Sequence, residues 1–426
     1  MSADKDVGRE MHALARRLFP ICRSLTGNGV RETLAILRKH IPLKIREIPS
    51  GTRVFDWTIP LEWNIRDAYV ADERGSRVID FKKHNLHVVG YSTPIDRKMP
   101  LEELQKHLYS LPAQPSAIPY VTSYYKRRWG FCLAHGDRLR LKKGIYRVVV
   151  DSTLKKGSLT YGELIIPGKR KEEVFFSTYV CHPSMANNEL SGPVVLTELA
   201  KFIMRNPRRY TYRIIFIPET IGALAYLSRH AREMQKNTIA GFTITCVGDN
   251  RMYSYIPSRH GNTLADKVAR RVLRRLHPKF KEWSFLDRGS DERQYCSMPF
   301  DLPVVSIMRT KYGTYPEYHT SLDDFRVVTP TGLEGAYRVY KACIEHLEQT
   351  RRYRAIIPGE PQLGKRHLYS TKGKSIDRRT KTYFDILAYA DGTNDVEDLS
   401  KLIKVRAAEV YGAIKVLLNA KLLKEV

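Results

Sequence analysis

The sequence predicts a mixed α/β protein with a mostly parallel sheet, helices on both faces, an inserted β-rich segment and a small C-terminal helical module. Three observations lead to this prediction. Between residues 162 and 348, apolar runs alternate with amphipathic stretches, as strands and helices do when they wind a parallel sheet. Between residues 44 and 150, short β-rich runs alternate with Pro, Gly and charged turns. After residue 380, three helical stretches precede a short apolar run at 422–426.

The individual elements follow from periodicity and from turn residues. Residues 5–40 predict two helices with a break at 24–29, where Thr26, Gly27 and Gly29 interrupt the pattern. The insertion predicts strands at 53–58, 67–70, 78–81, 87–91 and 145–151. The α/β part predicts strands at 173–180, 212–217, 241–247 and 303–308, and helices at 193–204, 221–235, 262–276 and 331–348. The tail predicts helices at 382–390, 394–403 and 406–420.

These elements group into three predicted domains. Residues 1–43 and 151–350 form the α/β domain, and residues 44–150 form the inserted β-rich domain. Residues 351–426 form a domain of winged-helix type, because three short helices followed by an apolar strand are typical of that module. Residues 351–380, at the start of this domain, are basic and are expected to be irregular.

Composition and charge limit the class of protein. The chain has 426 residues, of which 42% are hydrophobic and 27% charged, and no apolar run approaches the length of about 20 residues that a membrane helix needs. Residues 1–10 are polar and carry no apolar signal-peptide core, so we expect a cytoplasmic location and no membrane contact. Six scattered cysteines predict reduced thiols, not a disulfide framework. A homo-oligomer is compatible with the sequence.

The net charge of +27 indicates a polyanionic partner or an acidic substrate, unless it reflects a basic host proteome. Basic residues are densest at 126–128, 205–213 and 267–281. In the last segment the apolar residues share one helical face, so a solvated basic face is favoured over a dedicated nucleic-acid site.

Polar residues follow the predicted strands of the α/β part. His182 follows the strand at 173–180, Glu219 the strand at 212–217 and Asp249 the strand at 241–247, while His319 lies on the loop after 303–308. Open α/β sheets place their ligands at the carboxyl ends of the strands. Two histidines, an aspartate and a glutamate there suit a zinc site with an adjacent general base. The alternative is that each residue separately caps a helix or satisfies a loop.

Several segments together resemble a known family. They are the motif CHPSMANNELSG at 181–192 and the segments 18–27, 124–132, 218–222, 289–295 and 318–324. In these segments the chain resembles zinc aminopeptidases of the bacterial leucyl-aminopeptidase and glutamate-carboxypeptidase type. It is more similar to a bacterial aminopeptidase-like family often encoded with polysaccharide-biosynthesis genes, whose members have an inserted β-rich domain and a C-terminal winged helix. The resemblance covers nearly the whole chain.

The resemblance implies a role for each matching residue. His182 and Asp249 match ligands of the first metal ion, His319 matches a ligand of the second, and Glu219 matches the general base. The bridging aspartate of the peptidases falls at Asn188, which is neutral. Thr220 stands where peptidases carry a second glutamate ligand.

These two departures change the metal that we expect. Two carboxylates that would bind the metal ions directly are missing. Their absence disfavours a pair of zinc ions, so the residues support a single zinc ion or none. Asp291 and Glu292 match a peptidase segment and are expected to support the site or bind substrate.

Three functions follow from these observations. The first is a metal-dependent amide hydrolase acting on a small peptide or an amino-sugar-like substrate, with Glu219 activating water and His182, Asp249, His319 and Asn188 lining the metal site. The second is an inactive descendant that binds a ligand. The third is a nucleic-acid-binding protein that uses the basic surface and the winged helix, although the predicted last helix has few basic residues.

Overall fold

A computed structural model describes residues 6–369 and 376–426. Residues 1–5 and 370–375 lie outside the described residues. Residues 1–5 belong to the predicted polar N-terminus and the start of the first predicted helix, and residues 370–375 to the segment predicted to be basic and irregular. The chain divides into two compact units, Met1–Ile344 and Glu345–Val426. No helix in the described part is both long and apolar enough to span a lipid bilayer.

Nine of the α-helices of the described residues lie close to predicted positions, and three short ones were not predicted. The helices are α1 (Val7–Leu18), α2 (Asn28–Leu37), α3 (Leu101–Gln105), α4 (His135–Leu139), α5 (Ser191–Arg205), α6 (Ile221–Asn237), α7 (Leu264–Leu276), α8 (Glu292–Tyr295), α9 (Pro330–Gln349), α10 (Arg378–Tyr389), α11 (Val396–Ile403) and α12 (Ala407–Asn419). Short α3, α4 and α8 had no periodic signal in the sequence, because a single helical turn is too short to show one.

The strands of the described residues are more numerous than predicted. They are β1 (Lys44–Pro49), β2 (Arg53–Val54), β3 (Trp57–Thr58), β4 (Glu62–Ala71), β5 (Arg77–Asp80), β6 (Ile95–Pro100), β7 (Leu108–Tyr109), β8 (Phe131–Cys132), β9 (Ile145–Lys155), β10 (Ser158–Ile166), β11 (Glu173–Tyr179), β12 (Thr211–Ile217), β13 (Thr238–Thr243), β14 (Ser254–Ile256), β15 (Lys281–Glu282), β16 (Val304–Met308), β17 (Arg352–Ala355), β18 (Asp391–Asp395) and β19 (Leu423–Glu425).

The first unit is built on an eight-stranded sheet with the order β1-β10-β12-β11-β13-β16-β14-β15. Its middle strands β12, β11, β13 and β16 are mutually parallel, whereas β1, β10 and β14 pair antiparallel toward the edges. Every residue of β11 is buried, which explains its continuous apolar run. Helix α2 packs on β10, α5 on β11 and α7 on β13 and β16. The mixed α/β fold predicted from the sequence is therefore confirmed.

The parallel strands determine where the candidate site lies. Because β12, β11 and β13 run in the same direction, their carboxyl ends lie at one edge of the sheet, as do the loops that carry His182, Glu219 and Asp249. Helix α5 approaches this edge closely at Gly192, where a Cβ atom would lie 2.4 Å from the Ile244 carbonyl oxygen. Glycine is required at that position because any side chain would push α5 away from the sheet.

The segment predicted as an insertion forms a separate four-stranded antiparallel sheet, β5-β4-β9-β6. Three details differ from the predicted strands. The run at 53–58 is a hairpin of β2 and β3, residues 87–91 contain a 3₁₀ turn and isolated bridges, and β1 is an edge strand of the main sheet. In β1 only Ile48 is buried, as expected for an edge strand. The domain boundaries themselves stay a prediction.

The second unit contains α10, α11 and α12 and the three-stranded sheet β18-β17-β19. Its core includes Tyr383, Ile386, Leu399, Ile414 and Leu417, all at most 2% exposed. The prediction that residues 351–380 are irregular is wrong for β17, which pairs with β18 and β19. This strand alternates charged and apolar residues over only four positions, which is too short for a clear period-two signal.

Candidate active site

The loop between β11 and α5 has an unusual backbone. Residues Ala186–Leu190 form one turn of π-helix, and all five are buried. The Asp323 carboxylate accepts hydrogen bonds from the backbone N–H groups of Asn187 at 2.6 Å and Asn188 at 2.9 Å. These bonds satisfy donors that a helix start leaves unpaired. π-Helical turns are frequent at functional sites, and this one fixes the direction in which Asn188 and Glu189 project.

Glu189 and a buried arginine hold His182 in position. Glu189 Oε2 lies 2.9 Å from His182 Nδ1, and its Oε1 lies 3.3 Å from Arg23 Nε. Arg23 also donates to the His182 carbonyl at 2.9 Å, and the side chains of Arg23 and Glu189 are fully buried. A carboxylate bound to one imidazole nitrogen fixes the ring orientation and leaves the other nitrogen for chemistry. His182 Nε2 is therefore the reactive atom of this side chain.

Glu219 lies opposite that nitrogen. Its Oε2 is 3.6 Å from His182 Nε2, and its backbone N–H donates to Cys181 Sγ at 3.2 Å. Burial raises the pKa of Glu219, and the positive charges of His182 and Arg293 oppose that effect. Burial lowers the pKa of His182, but Cys181 and Glu189 raise it well above its usual value. A buried acid and base in contact, both with shifted pKa values, are characteristic of catalytic sites.

The turn that presents Glu219 is strained. Thr220 has φ 62° and ψ −78°, which is rarely tolerated by a β-branched residue. Its backbone N–H donates to Asp291 Oδ1 at 2.7 Å, and its hydroxyl accepts from Arg293 Nη2 at 2.6 Å. Strain of this kind persists only where surrounding bonds enforce it, and it concentrates at functional sites.

His319 completes the group from the loop after β16. Its ring centroid lies 5.6 Å from that of His182, and Tyr318 stacks on it at 3.9 Å. Burial, together with the charge of His182, lowers the pKa of His319 to about 3. The residue is therefore a neutral imidazole near neutral pH, the form that accepts a hydrogen bond or binds a metal ion.

Tyr120 covers both histidines from the segment between β7 and β8. Its ring lies 5.3 Å from His182 and 5.2 Å from His319, and its backbone N–H donates to the His319 carbonyl at 2.9 Å. The hydroxyl of Tyr120 is hydrogen-bonded to that of Tyr124. Burial, with the neighbouring Tyr124, raises the Tyr120 pKa well above its usual value, so the phenol stays protonated.

Sequence reasoning missed Arg23, Tyr120 and Asp323 as site residues. Arg23 and Asp323 lie inside segments that carry the family resemblance, at 18–27 and 318–324, but nothing local shows that their side chains are buried. Tyr120 follows the proline-containing stretch 112–119, and an aromatic residue there has no distinguishing pattern. Tertiary contacts alone identify these three.

The carboxylate of Asp249, predicted as a metal ligand, is hydrogen-bonded to groups of the protein. Its carboxylate accepts hydrogen bonds from Arg251 N–H at 2.9 Å, Thr310 N–H at 2.9 Å, the Thr310 hydroxyl at 2.7 Å and the Asn187 amide at 3.2 Å. Four donors from the protein saturate both oxygens. This geometry favours a structural role, in which Asp249 ties the loop after β13 to the loop after β16.

The amide nitrogen of Asn188 and the carboxylate of Glu292 are hydrogen-bonded within the protein. The Asn188 amide nitrogen donates to Tyr179 OH at 2.6 Å, and its oxygen is buried without a hydrogen-bond partner among the described residues. Glu292 accepts from Gly289 N–H at 2.9 Å, Tyr312 OH at 2.6 Å and the Ser306 hydroxyl at 3.1 Å. Glu292 therefore ties the start of α8 to β16 and the loop after it.

Asp291 is closer to the chemistry. Besides the bond from Thr220, its second oxygen is buried with no hydrogen-bond partner in the described part of the chain. Burial and the charge of Glu219 raise the pKa of Asp291 well above its usual value. Asp291 thus supports the turn that carries Glu219 and adds a protonatable group beside it.

The donor set does not fit two zinc ions. Within the described residues, Cys181, His182 and Glu189 are the group whose ligand atoms all lie within 4.8 Å of one another. Burial raises the pKa of Cys181 to about 11, and Glu189 is paired with Arg23. Neutral Asn188 and saturated Asp249 supply no carboxylate to bridge two ions. His182 Nε2, His319 and Glu219 do match the donor types of a single catalytic zinc ion.

Comparison with known proteins agrees with this fold. Residues 12–350 match the family described as Domain of unknown function (DUF4910), and residues 351–425 match a winged helix-turn-helix. The chain is 43% identical over 422 residues to a Clostridium acetobutylicum protein described as a candidate polysaccharide biosynthesis protein with an aminopeptidase-like domain. That alignment covers 98% of this chain and 97% of the relative.

Solved structures give the same result. A crystal structure of a candidate peptidase from Clostridium acetobutylicum aligns with a TM-score of 0.84 at 42% identity, covering 99% of this chain and 97% of that one. A zinc aminopeptidase from Bacillus subtilis aligns with a TM-score of 0.58 at 11% identity, covering 81% of this chain and 95% of that one. The second likeness concerns the fold alone. The chain belongs to the aminopeptidase-like family that contains the Domain of unknown function DUF4910, and it carries a C-terminal winged helix-turn-helix.

Proposed function

We propose that the chain hydrolyses an amide bond in a small peptide or an amino-sugar conjugate, with Glu219 as the general base. The observation that supports this most is the pair formed by Glu219 and His182, 3.6 Å apart at the carboxyl edge of the sheet. The relatives named as a candidate peptidase and as a polysaccharide biosynthesis protein point to the same classes of substrate. The cytoplasmic location stays a prediction from the sequence.

In this mechanism Glu219 transfers a proton and His182 donates a hydrogen bond. Glu219 removes a proton from water as the water oxygen attacks the amide carbonyl carbon, and the same proton then passes to the leaving amine when the C–N bond breaks. Protonated His182, held through Nδ1 by Glu189, donates from Nε2 to the carbonyl oxygen as negative charge develops there. Tyr120 shields both histidines from water on one side.

A single zinc ion, if bound, would be held by His182, His319 and Glu219. Such an ion lowers the pKa of water and polarises a carbonyl group. Glu219 would then be a ligand, and Asp291, which contacts the same turn, would be the remaining carboxyl group near the water. Zinc content measured on protein purified without chelator tests this assignment: we expect at most one ion per chain, and less in His182→Ala and His319→Ala.

Replacement of Glu219 by glutamine tests the proposed function. We expect the rate of amine release from aminoacyl anilides or N-acyl amino sugars to fall by about 10²–10⁴-fold, the usual contribution of a general base. Glu233→Gln is the matched control, because that glutamate lies on α6 with its side chain 55% exposed. Retention of activity by Glu219→Gln would contradict the assignment, and an equal loss in Glu233→Gln would show that the effect is not specific to Glu219.

The winged helix gives little support to a nucleic-acid function. On α12 the exposed positions include Ala407, Ala408, Tyr411 and Gly412, with Lys415 as the exposed cation. Recognition helices bind phosphates through several basic side chains. The exposed face of α12 is therefore better suited to a protein contact, and the predicted polyanionic partner stays a prediction.

A further inference from the structure

A cavity of about 360 Å³ lies beside the candidate active site, between the β2–β3 hairpin and residues 123–127. Tyr91 and Tyr124 form part of its lining, and their rings pack edge to face at 5.3 Å. Ser123 also lines it, with a hydroxyl that donates to the Gly90 carbonyl at 3.1 Å and can still accept, and Ile59 and Leu154 contribute apolar surface. Ligand sites in proteins are concave and mostly apolar with a few polar groups, and a volume of about 300 Å³ or more is typical.

Tyr125 lines this cavity, and Trp57, next to the lining residue Thr58, packs against the Tyr125 ring. Tyr125 is 57% exposed and Trp57 is 38% exposed, and their ring centroids lie 5.7 Å apart. Large aromatic surface left in contact with water is unfavourable, so its concentration beside a concavity indicates a binding surface. Flat rings of this kind offer faces on which a second ring can lie.

Two cations adjoin the aromatic rim. Lys126 and Arg127 both line the cavity and are exposed. In the part of the chain that the structure describes, neither side chain has an ion-pair or hydrogen-bond partner, unlike Arg31 and Arg66, which bind Glu62 and Asp151. Unpaired lysine and arginine beside a ligand cavity complement a carboxylate or phosphate.

Two hydrogen-bonded tyrosines connect the cavity to the candidate active site. Tyr124 lines the cavity, and its hydroxyl is hydrogen-bonded to that of Tyr120, whose ring contacts His182 and His319. A molecule in the cavity would therefore be separated from the catalytic pair by two tyrosine side chains. This arrangement suits a substrate that is recognised at one end and cleaved at the other.

We propose that the cavity binds a sugar ring that carries a carboxylate or phosphate group, and that this ring is the recognition end of the amide substrate. This inference depends on the proposed function in one respect: the other end of the substrate is taken to be the amide that is cleaved. The apolar face of a sugar ring packs on Tyr125 and Trp57, its hydroxyls reach Ser123, and its anionic group meets Lys126 and Arg127. A single-stranded nucleic acid instead needs an extended groove with successive stacking platforms, whereas this cavity holds about one ring.

Binding measured on the full-length Glu219→Gln variant tests the proposal without turnover. The probes are glucuronic acid and N-acetylglucosamine 1-phosphate, with neutral N-acetylglucosamine and a uridine pentanucleotide for comparison. We expect at least one anionic sugar to bind about five-fold or more tightly than the neutral one, because of its charge-assisted bonds. The identity of the tighter probe distinguishes a carboxylate from a phosphate.

Variants of the rim separate the two contributions. We expect Tyr125→Ala and Trp57→Ala to weaken binding of all sugars, and the double variant Lys126→Ala/Arg127→Ala to remove only the preference for the anionic ones. Tyr389→Ala and Arg74→Ala/Lys143→Ala are matched controls, since these residues are exposed elsewhere.

Equal binding of neutral and anionic sugars, unchanged binding in the rim variants, or tighter binding of the pentanucleotide would overturn the proposal. A finding that the protein does not hydrolyse amides would not overturn the proposal, because sugar binding is measured separately. Conversely, intact hydrolysis with no sugar binding would remove the cavity assignment and leave the proposed function.

Discussion

Replacement of Arg23 by methionine is expected to destabilise the first unit by about 3–5 kcal/mol, because it leaves a buried carboxylate without its partner. Both side chains of the Arg23–Glu189 pair are fully buried. Arg23 also donates to the carbonyls of His182 at 2.9 Å and Leu18 at 2.8 Å, and methionine can replace neither bond. The arginine thus ties the chain after α1 to the loop that carries His182.

Thermal unfolding measures this effect. The unit spans Met1–Ile344, so at about 2 cal/mol/K per residue its unfolding entropy is roughly 0.7 kcal/mol/K, and the expected fall in Tm is about 4–7 °C. Arg17→Met, an exposed cation on α1, is the control and is expected to change stability by less than about 0.5 kcal/mol.

A double variant tests the reason for the loss. In Arg23→Met/Glu189→Gln both charges of the Arg23–Glu189 pair are removed, while the glutamine oxygen still accepts from His182 Nδ1. We expect this double variant to regain about half or more of the lost stability, because replacing both members of a buried pair is far less harmful than removing one. A Tm change below about 1 °C in Arg23→Met, or strictly additive single changes, would refute the reasoning.

Two further predictions concern other carboxylates. Arg31 holds the pKa of Glu62 at about 2, below its usual 4.5, so ionised Glu62 stabilises the folded state above pH 4.5 and loses this contribution as the pH falls toward 2. Glu62→Gln should therefore destabilise the protein by about 1–2 kcal/mol in urea titrations at pH 7, with a difference that shrinks by pH 3; a constant difference would count against the ion pair. Asp249→Asn should lower stability by about 1–3 kcal/mol through its lost hydrogen bonds and leave zinc content unchanged, whereas loss of zinc would return Asp249 to the metal site.

Much of the fold was predictable because its strands and helices are long and strongly patterned. The helix expected at 331–348 is Pro330–Gln349, and the strand at 212–217 is Thr211–Ile217. Strand β10 was missed, because it has neither the continuous apolar run of β11 nor an alternating pattern. Strand β10 is buried at all but one position and pairs antiparallel between β1 and β12, so its burial depends on partners distant in sequence. Such a strand has no period for local analysis to detect.

From the sequence, the candidate site could be predicted only from the polar residues that follow the ends of the strands. His182, Glu219 and His319 do lie together, because parallel strands bring their following loops to one edge. Asp249 meets the same positional criterion, yet its side chain turns toward Thr310. Position on a sheet edge fixes where a backbone lies, whereas the direction of a side chain depends on the donors that surround it.

The balance of buried charge explains why the loop at 181–192 differs from a two-zinc centre. Arg23 supplies to Glu189 the positive charge that a metal ion would otherwise supply, at 3.3 Å and without exposure to water. The remaining carboxylate in contact with His182 is Glu219. Two zinc ions would add four positive charges against that single ionised group, and uncompensated buried charge is strongly unfavourable. One ion, or protonated His182 alone, keeps the charge near balance.

The same reasoning extends to the substrate. Among the described residues, Lys126 and Arg127 are unpaired at the adjoining cavity. An anionic substrate therefore lowers the electrostatic energy of the whole region, and a cationic one raises it.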